Sequence, residues 1–425
     1  MPPSRAGIVV TGTEVLTGRV TDRNGPWLAE QLRQLGVDIA HLLVVGDRPG
    51  DLHAALAFLT GSGLDLVITS GGLGPTADDL TAEAVGAFQG RPSEVDAELE
   101  RRIADVVARF VAGRGWQLDP DATAAGTRKQ ALVPVGATVI PPMGTAPGLI
   151  VPPAEDRDGP PVVVLPGPPR ELQGMWPAVV ADPTVRAALR GRQELRQRTM
   201  RLWGTPESEL AATMRGHEAE LAALEITTCL HDGELEIVTR YRPDAEPAYA
   251  AFADVLGEVY AATMFSPDGR TVDEIVADAL RGRGLTIATA ESCTGGLLGG
   301  RLTDLAGSSA YVLGGVVSYA NEAKQELLGV PAELIADVGA VSAEVGEAMA
   351  IGVRGRLGAD IGVGITGIAG PDGGTPDKPV GLVHISVASY ERTLSRRIVL
   401  PGNRADVRRR AVLLAMHMIR EVVTA

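Results

Sequence analysis

Residues 65–81 read DLVITSGGLGPTADDLT, an apolar run that breaks into a glycine-rich turn and then into helix-compatible spacing from Ala82. A buried strand, a tight turn and a helix in that order form half of a βαβ unit, so this stretch argues for a parallel sheet covered by helices. The same alternation extends on both sides. Strand-like runs at 7–10 and 40–45 alternate with helical spacing at 24–35 and 52–59, and two short strands are expected at 137–140 and 162–165. Together they predict an α/β domain over residues 1–178.

Beyond it the texture changes. RTMRLWG (198–204), a strand pair around EITTCL (225–230) and ELEIVTRY (234–241), and a helix over 247–259 predict a small α+β module within 179–268. The GTPESE segment at 204–209 reads as a helix start capped by Thr205 or Ser208. From 269 to 425 the α/β pattern returns: helical TVDEIVADALRGRG, EVGEAMAIGV and ADVRRRAVLLAMHMI alternate with apolar LTIATA, IGVGITG and GLVHISVA.

At 425 residues the chain exceeds what one core normally organises. Its formal charge of −14 argues against a general electrostatic grip on nucleic acid or an anionic membrane, so any phosphate must be held locally. Two cysteines, Cys229 and Cys293, make neither a disulfide framework nor a Cys-rich metal site. With no signal-like N-terminus and no apolar run approaching about 20 residues, a soluble cytoplasmic protein is expected.

Two places carry chemistry. In the first, Gly71, Gly72 and Gly74 let backbone N–H groups turn toward an anion ahead of a helix N-terminus, with Thr76 beside them. Asp78 and Asp79 would repel a bare phosphate, and a divalent cation reverses that sign. Taken alone, the turn reads equally well as a capped strand-to-helix connection. Three further turns change the balance: GTEVLTG (12–18) with Glu14, PPMGTAPG (141–148) with Gly144 and Thr145, and LPGPPRE (165–171) with Gly167 and Glu171. All would gather at the carboxyl ends of the strands, where ligands bind in open α/β sheets. Lys129 and Arg170 are available cations, or solvated surface residues.

In the second, AESCTGG puts Ser292 at a strand-to-helix corner, where the N–H groups of Cys293 and Thr294 suit an oxyanion and Gly295 allows the turn. No histidine is near in sequence. Lys324 is the candidate base, at the start of a helix that Asn321 could cap, and burial would depress its pKa as a Ser-Lys dyad requires. Most lysines at such positions are solvated. Tyr319 could relay the proton, and the neighbouring Cys293 is the rival nucleophile. The long loop GITGIAGPDGGTPDKPVG offers Thr366 and Gly367 as nucleotide contacts, or is simply a connection.

These motifs also carry a family resemblance. GTEVLTG, the DRN of 22–24, the VGD of 45–47, SGGLGPTADDLT, GTAPG and LPGPPRE occur in the order seen in the N-terminal domain of the CinA family, which has a molybdopterin-binding-like α/β fold. AESCTGG, GSSAYVLGGVVSYANEAK, GAVS, ITGIAGPDGG and KPVG resemble its C-terminal α/β deamidase domain over most of 272–425. The resemblance implies a C-terminal nicotinamide mononucleotide amidohydrolase that needs no metal, with Ser292, Lys324 and Tyr319 catalytic and Cys293, Thr294, Gly295, Thr366 and Gly367 around the substrate. It also implies an N-terminal ADP-ribose pyrophosphatase-like site, with Asp78, Asp79 and Glu14 about Mg, Mn or Co. There Gly71, Gly72, Gly74, Thr76, Lys129, Gly144, Thr145, Gly167 and Glu171 would hold ADP-ribose or an NAD-like molecule. The middle segment resembles a KH-type linker without the GxxG loop of RNA binders, so no nucleic-acid partner is expected, and the chain is expected to form a homodimer. The alternatives are a non-catalytic nucleotide sensor and a molybdopterin-related binding role for the N-terminal domain.

Overall fold

A computed structural model describes residues 3–112 and 119–424 of the chain, in two compact units. One runs to Gln197 and includes Arg242–Asp244; the other comprises Arg198–Tyr241 and the chain from Ala245 onward. Among the described residues no helix is long and apolar enough to cross a membrane.

The first unit is built on a six-stranded sheet in the order Asp38–Val45, Arg5–Thr11, Leu66–Ser70, Val162–Leu165, Gly148–Val151 and Thr138–Ile140. The first four strands are parallel and the last two antiparallel to their neighbours. Both faces are covered, and the period of two shows which side chain goes where. Ile8, Val10, Ile68, Val163 and Leu165 pack with Leu28, Leu32 and Leu172, whereas Val9, Val67, Val162 and Val164 pack with Leu52, Leu56 and Val85. The chain leaves the Arg5–Thr11 strand toward one side and returns on the other, which places a ligand crevice at its carboxyl end.

The expected helices appear as Asn24–Gln34, Pro49–Gly61 and Thr81–Phe88. Helices Ala97–Ala112 and Pro120–Gln130 and the strand Gly148–Val151 add to the pattern read from the sequence. Residue 178 lies inside the helix Pro169–Ala181.

The second unit opens with a four-stranded sheet in the order Leu224–His231, Glu234–Tyr241, Arg196–Trp203 and Met264–Ser266, packed through Leu202, Ile237, Phe252 and Leu256 onto the helices Glu207–Arg215 and Glu246–Val259. The helix Glu207–Arg215 starts from Pro206 with no side-chain cap, because the Thr205 hydroxyl donates instead to Thr263 Oγ1.

A five-stranded sheet follows, in the order Val312–Val317, Ile287–Glu291, Ile361–Gly367, Leu382–Ala388 and Thr393–Val399. Its first three strands are parallel, and the last two run antiparallel to their neighbours. Ile287, Val363 and Ile365 pack on the helices Val272–Arg283 and Arg404–Val423, while Ala288 and Ala290 face Val345, Met349 and Val353 of the helix Ala343–Leu357.

The alternate glycines of IGVGITG explain how closely that last helix approaches. A Cβ at Gly362 would lie 2.0 Å from Ala350 O, and one at Gly364 would lie 2.2 Å from Gly346 O. Strand and helix backbones therefore touch with no side chain between them. Adding a methyl group here forces them apart, and overpacking of this kind costs about 1–3 kcal/mol. Gly364→Ala is expected to lower the melting transition of the C-terminal unit by several degrees in thermal denaturation of the full chain. An unshifted melt would mean that the helix stands off the strand.

Candidate active site

The strand Ile287–Glu291 is buried along its whole length and ends in a carboxylate that is only 1% exposed. Glu291 accepts hydrogen bonds from the backbone N–H groups of Gly296 (3.0 Å), Leu298 (3.0 Å) and Gly299 (2.8 Å). These belong to the start of the helix Leu297–Thr303, whose first N–H groups have no partner within the helix. Gly295 and Gly296, at φ 60° and 94°, let the chain double back so that they can reach Glu291.

Ser292 stands at the head of this turn. Its N–H still donates to Ile365 O (2.9 Å), extending the sheet by one bond, and its C=O accepts from Gly295 N–H (3.1 Å). Among the described residues the N–H groups of Cys293 and Thr294 donate to no backbone carbonyl, and the buried Thr294 and Ser318 hydroxyls have no partner. Hydrogen-bond donors therefore remain free beside the serine.

Lys324 reaches the same point from the helix Asn321–Leu328. Ala320 occupies its N-cap with no side-chain bond, so Asn321 is not the expected cap but the first helical residue. The lysine is 1% exposed, and its Nζ donates to Ser318 O (2.8 Å), Tyr319 O (3.2 Å) and Ser292 Oγ (3.3 Å). No carboxylate pairs with it among the described residues. Burial pushes its pKa below the ordinary lysine value, against weaker pulls from Cys293 and Glu322. In the neutral amine, the two carbonyls can keep both N–H groups while the lone pair faces the Ser292 hydroxyl. That is the arrangement a general base needs.

Tyr319 departs from its expected role as a proton relay. Its carbonyl touches Lys324, but its side chain leaves the corner on the solvent side, 60% exposed, and its hydroxyl accepts from Arg404 Nη2 (3.0 Å). Thr366 is buried and donates to Ala340 O (2.8 Å), and Gly367 lies against the backbone of Leu382 and Val383.

Two arginines escaped the sequence reading. Arg404 also donates to Gly370 O (2.9 Å), and Arg408 donates to Thr294 O (3.0 Å). One helical turn apart, they bring positive charge to the rim of the Ser292 turn.

In the first unit the expected loops do converge. A Cβ at Gly71 would strike Thr11 O at 2.4 Å, one at Gly167 would lie 3.8 Å from Gly71 Cα, and one at Gly144 would meet the Glu171 carboxylate at 2.3 Å. Gly71 and Gly72 hold φ 111° and 66°. Asn24 ties the loops together, donating to Ser70 Oγ (2.9 Å) and Gly167 O (2.7 Å). Thr145 Oγ1 accepts from Gln130 (3.3 Å), and burial raises the pKa of Glu171.

Thr76 gathers both aspartates: its hydroxyl meets Asp78 Oδ1 (2.6 Å) and Asp79 Oδ2, and its N–H donates to Asp79 Oδ2 (2.9 Å). The Thr76 hydrogen bond holds Asp78 below its usual range, and Lys129 donates to Thr76 O. Gly74 lies against the Asp79 carboxylate. Two adjacent carboxylates beside a glycine-rich turn suit a hard cation that completes its shell with substrate phosphates. Glu14 is not part of the pair: its carboxylate curls back over Gly12, and no three His, Cys, Asp or Glu side chains gather among the described residues.

Residues 269–423 match the family described as the CinA C-terminal domain, and residues 7–187 match that described as a probable molybdopterin binding domain. A CinA-like protein of Mycobacterium sp. (strain MCS) is 57% identical over 424 residues, covering 99% of each chain. Another from Mycolicibacterium gilvum (strain PYR-GCK) is 58% identical over 425 residues, again 99% of each. A solved competence/damage inducible protein from Agrobacterium tumefaciens is 39% identical over 36% of this chain and 96% of its own, with a TM-score of 0.35.

Cys293, next to the serine, is buried, and burial pushes its thiol up to about 11. At pH 8 only about a thousandth of it would be thiolate. Cys229 is exposed. In the native chain at pH 8, iodoacetamide should label Cys229 and leave Cys293 unmodified until denaturant is added, as read by peptide mass spectrometry. Equal labelling rates for the two would make Cys293 an available nucleophile.

Proposed function

The chain belongs to the CinA family, and on that premise we propose that its C-terminal third hydrolyses the carboxamide of nicotinamide mononucleotide, with Ser292 as nucleophile and Lys324 as its base. Ser292 Oγ attacks the amide carbon as its proton passes to Lys324 Nζ. The oxygen that becomes negative accepts from the N–H groups of Cys293 and Thr294. Collapse breaks the C–N bond, Lys324 returns the proton to the leaving nitrogen, and ammonia departs. Water, deprotonated by the same amine, then cleaves the seryl ester to release nicotinate mononucleotide and restore Ser292. Arg404 and Arg408 favour a substrate that carries an anionic group away from the amide.

The observation that carries this reading is a buried lysine, with no carboxylate partner among the described residues, whose amine meets a serine hydroxyl at a strand-to-helix corner. Ser292→Ala and Lys324→Met should each reduce ammonia release by roughly a thousandfold or more, because the pair acts as a unit. Cys293→Ala should retain most of it. The base must be neutral, so the rate should rise with pH through an ionisation below the ordinary lysine value and be lost as pH falls beneath it. A chelator should leave turnover intact. Binding without ammonia release in the parent chain would favour a nucleotide sensor instead.

The convergence of loops on the glycine-rich turn at Gly71, which also carries the Asp78–Asp79 pair, supports a second site, for a diphosphate. We propose that the first unit cleaves ADP-ribose, or a related dinucleotide, to AMP and a sugar phosphate. Asp78 and Asp79 would hold a divalent cation, which when bound would neutralise diphosphate charge; Gly72 and Lys129 would orient the phosphates, while Gly71, whose N–H donates to Leu165 O (2.9 Å), shapes the turn. Asp78→Asn together with Asp79→Asn should abolish cation-dependent AMP formation while sparing ammonia release. Full turnover in the double variant would remove both residues from the reaction.

A further inference from the structure

Residues 404–410, RADVRRR, place four arginines and one aspartate in the first two turns of the last helix. Cations are disfavoured at this end of a helix, because the peptide dipoles already make it positive. The capping box of Asn403 and Asp406 meets only part of that charge. The remainder is divided between two sides. Arg404 and Arg408 turn toward the Ser292 corner, contacting the Tyr319 hydroxyl, Gly370 O and Thr294 O, and neither has a carboxylate partner among the described residues.

Arg409 and Arg410 turn the other way and converge on Asp232. This residue stands at the tip of the hairpin between Leu224–His231 and Glu234–Tyr241, and its side chain is 6% exposed. Asp232 Oδ2 accepts from Arg409 Nε (2.5 Å), and Oδ1 accepts from Arg409 Nη2 (3.1 Å) and Arg410 Nε (3.1 Å). With both guanidinium groups on it, Arg409 foremost, its carboxyl is held down at about 2. A second tie lies farther along the helix, where fully buried His417 meets Glu234 Oε1 (2.7 Å) and stacks on Trp203 at 3.9 Å.

We propose that Asp232 is a positioning residue for the Ser292 site, acting through Arg409 and Arg410 to hold the helix in the register that presents Arg404 and Arg408 to an anionic substrate group. The proposal rests on reading the Ser292 site as one for a phosphate-bearing nucleotide amide. The hairpin acid, together with Asp406 on Arg409 (3.1 Å), thus meets the charge of the two arginines that face away, while Arg404 and Arg408 have no carboxylate partner among the described residues where a phosphate would sit. Nothing in the sequence joins positions 232 and 409, which are 177 residues apart.

Asp232→Asn tests this cleanly, because position 232 has φ 54° and asparagine tolerates that left-handed conformation better than almost any other residue. In the full chain, the variant should bind nicotinamide mononucleotide about tenfold more weakly by calorimetry, with KM raised to match and kcat within about twofold. Nicotinamide riboside, which lacks the phosphate, should lose little. Equal weakening for the two ligands, or none for either, would overturn the positioning role. If Asp232→Asn melts early, Arg409→Gln and Arg410→Gln cut the same pair from the helix side and should reproduce the selective loss. A parent that binds the mononucleotide without releasing ammonia would end the amidohydrolase reading, while the binding comparison would still decide the role of Asp232. A parent that binds no mononucleotide would overturn both.

Discussion

The three hydrogen bonds that Glu291 accepts from Gly296, Leu298 and Gly299 set the geometry on which the C-terminal site depends. A carboxylate this deeply buried is costly unless its lone pairs are engaged, and here they meet N–H groups that would otherwise lack partners at a helix start. The arrangement closes the 291–299 segment into a tight loop. Ser292 is thereby committed to the sheet on one side, through Ile365 O, and to the turn on the other, through Gly295. Little backbone freedom remains at the serine, so its hydroxyl is presented at a defined place beside donors that are still free.

Lys324 follows the opposite electrostatic logic a few ångströms away. Glu291 is buried with three backbone N–H groups on its side-chain oxygens; Lys324 is buried with only neutral hydrogen-bond acceptors around it among the described residues. A protonated amine there gains three hydrogen bonds but loses its hydration, whereas the neutral amine keeps the two carbonyls and avoids that loss. The difference favours the form that can accept a proton. The strand Val312–Val317 controls this balance, because it runs directly into Ser318 and Tyr319, whose carbonyls receive the amine.

Much of this was legible in the sequence. The alternation of apolar runs and helical spacing revealed both α/β sheets, because strands buried on two faces leave continuous hydrophobic segments such as LVITS and VVVL. The Ser292 corner was visible because a short apolar run ends abruptly in paired glycines. The four-residue strand Gly148–Val151 was hidden between prolines. Glu291 looked like an ordinary polar residue at a strand end, since nothing local shows that three N–H groups lie within its reach. Arg404 and Arg408 were hidden for a different reason: they lie on the polar side of an amphipathic helix, where arginine is the normal surface choice, and only the fold brings them to a turn more than 100 residues earlier. Glu14 erred in the other direction, being near the crevice in sequence while its side chain folds back onto its own turn.

The net charge of −14 excludes a broad attraction for anions but says little about charge within one site. In physiological salt the screening length is about 8 Å, so a ligand responds mainly to the groups it approaches and hardly to the distant acidic surface. Four arginines in seven residues are therefore a strong local field inside an acidic chain. Left unpaired they would repel one another and the helix dipole; Asp232 from the hairpin and Asp406 of the same helix pair with Arg409 and Arg410, while Arg404 and Arg408 stay directed at the serine corner. Anion recognition in such a protein is thus a matter of where its counter-charges are withheld, and the placement of acidic residues shapes it as much as the placement of basic ones.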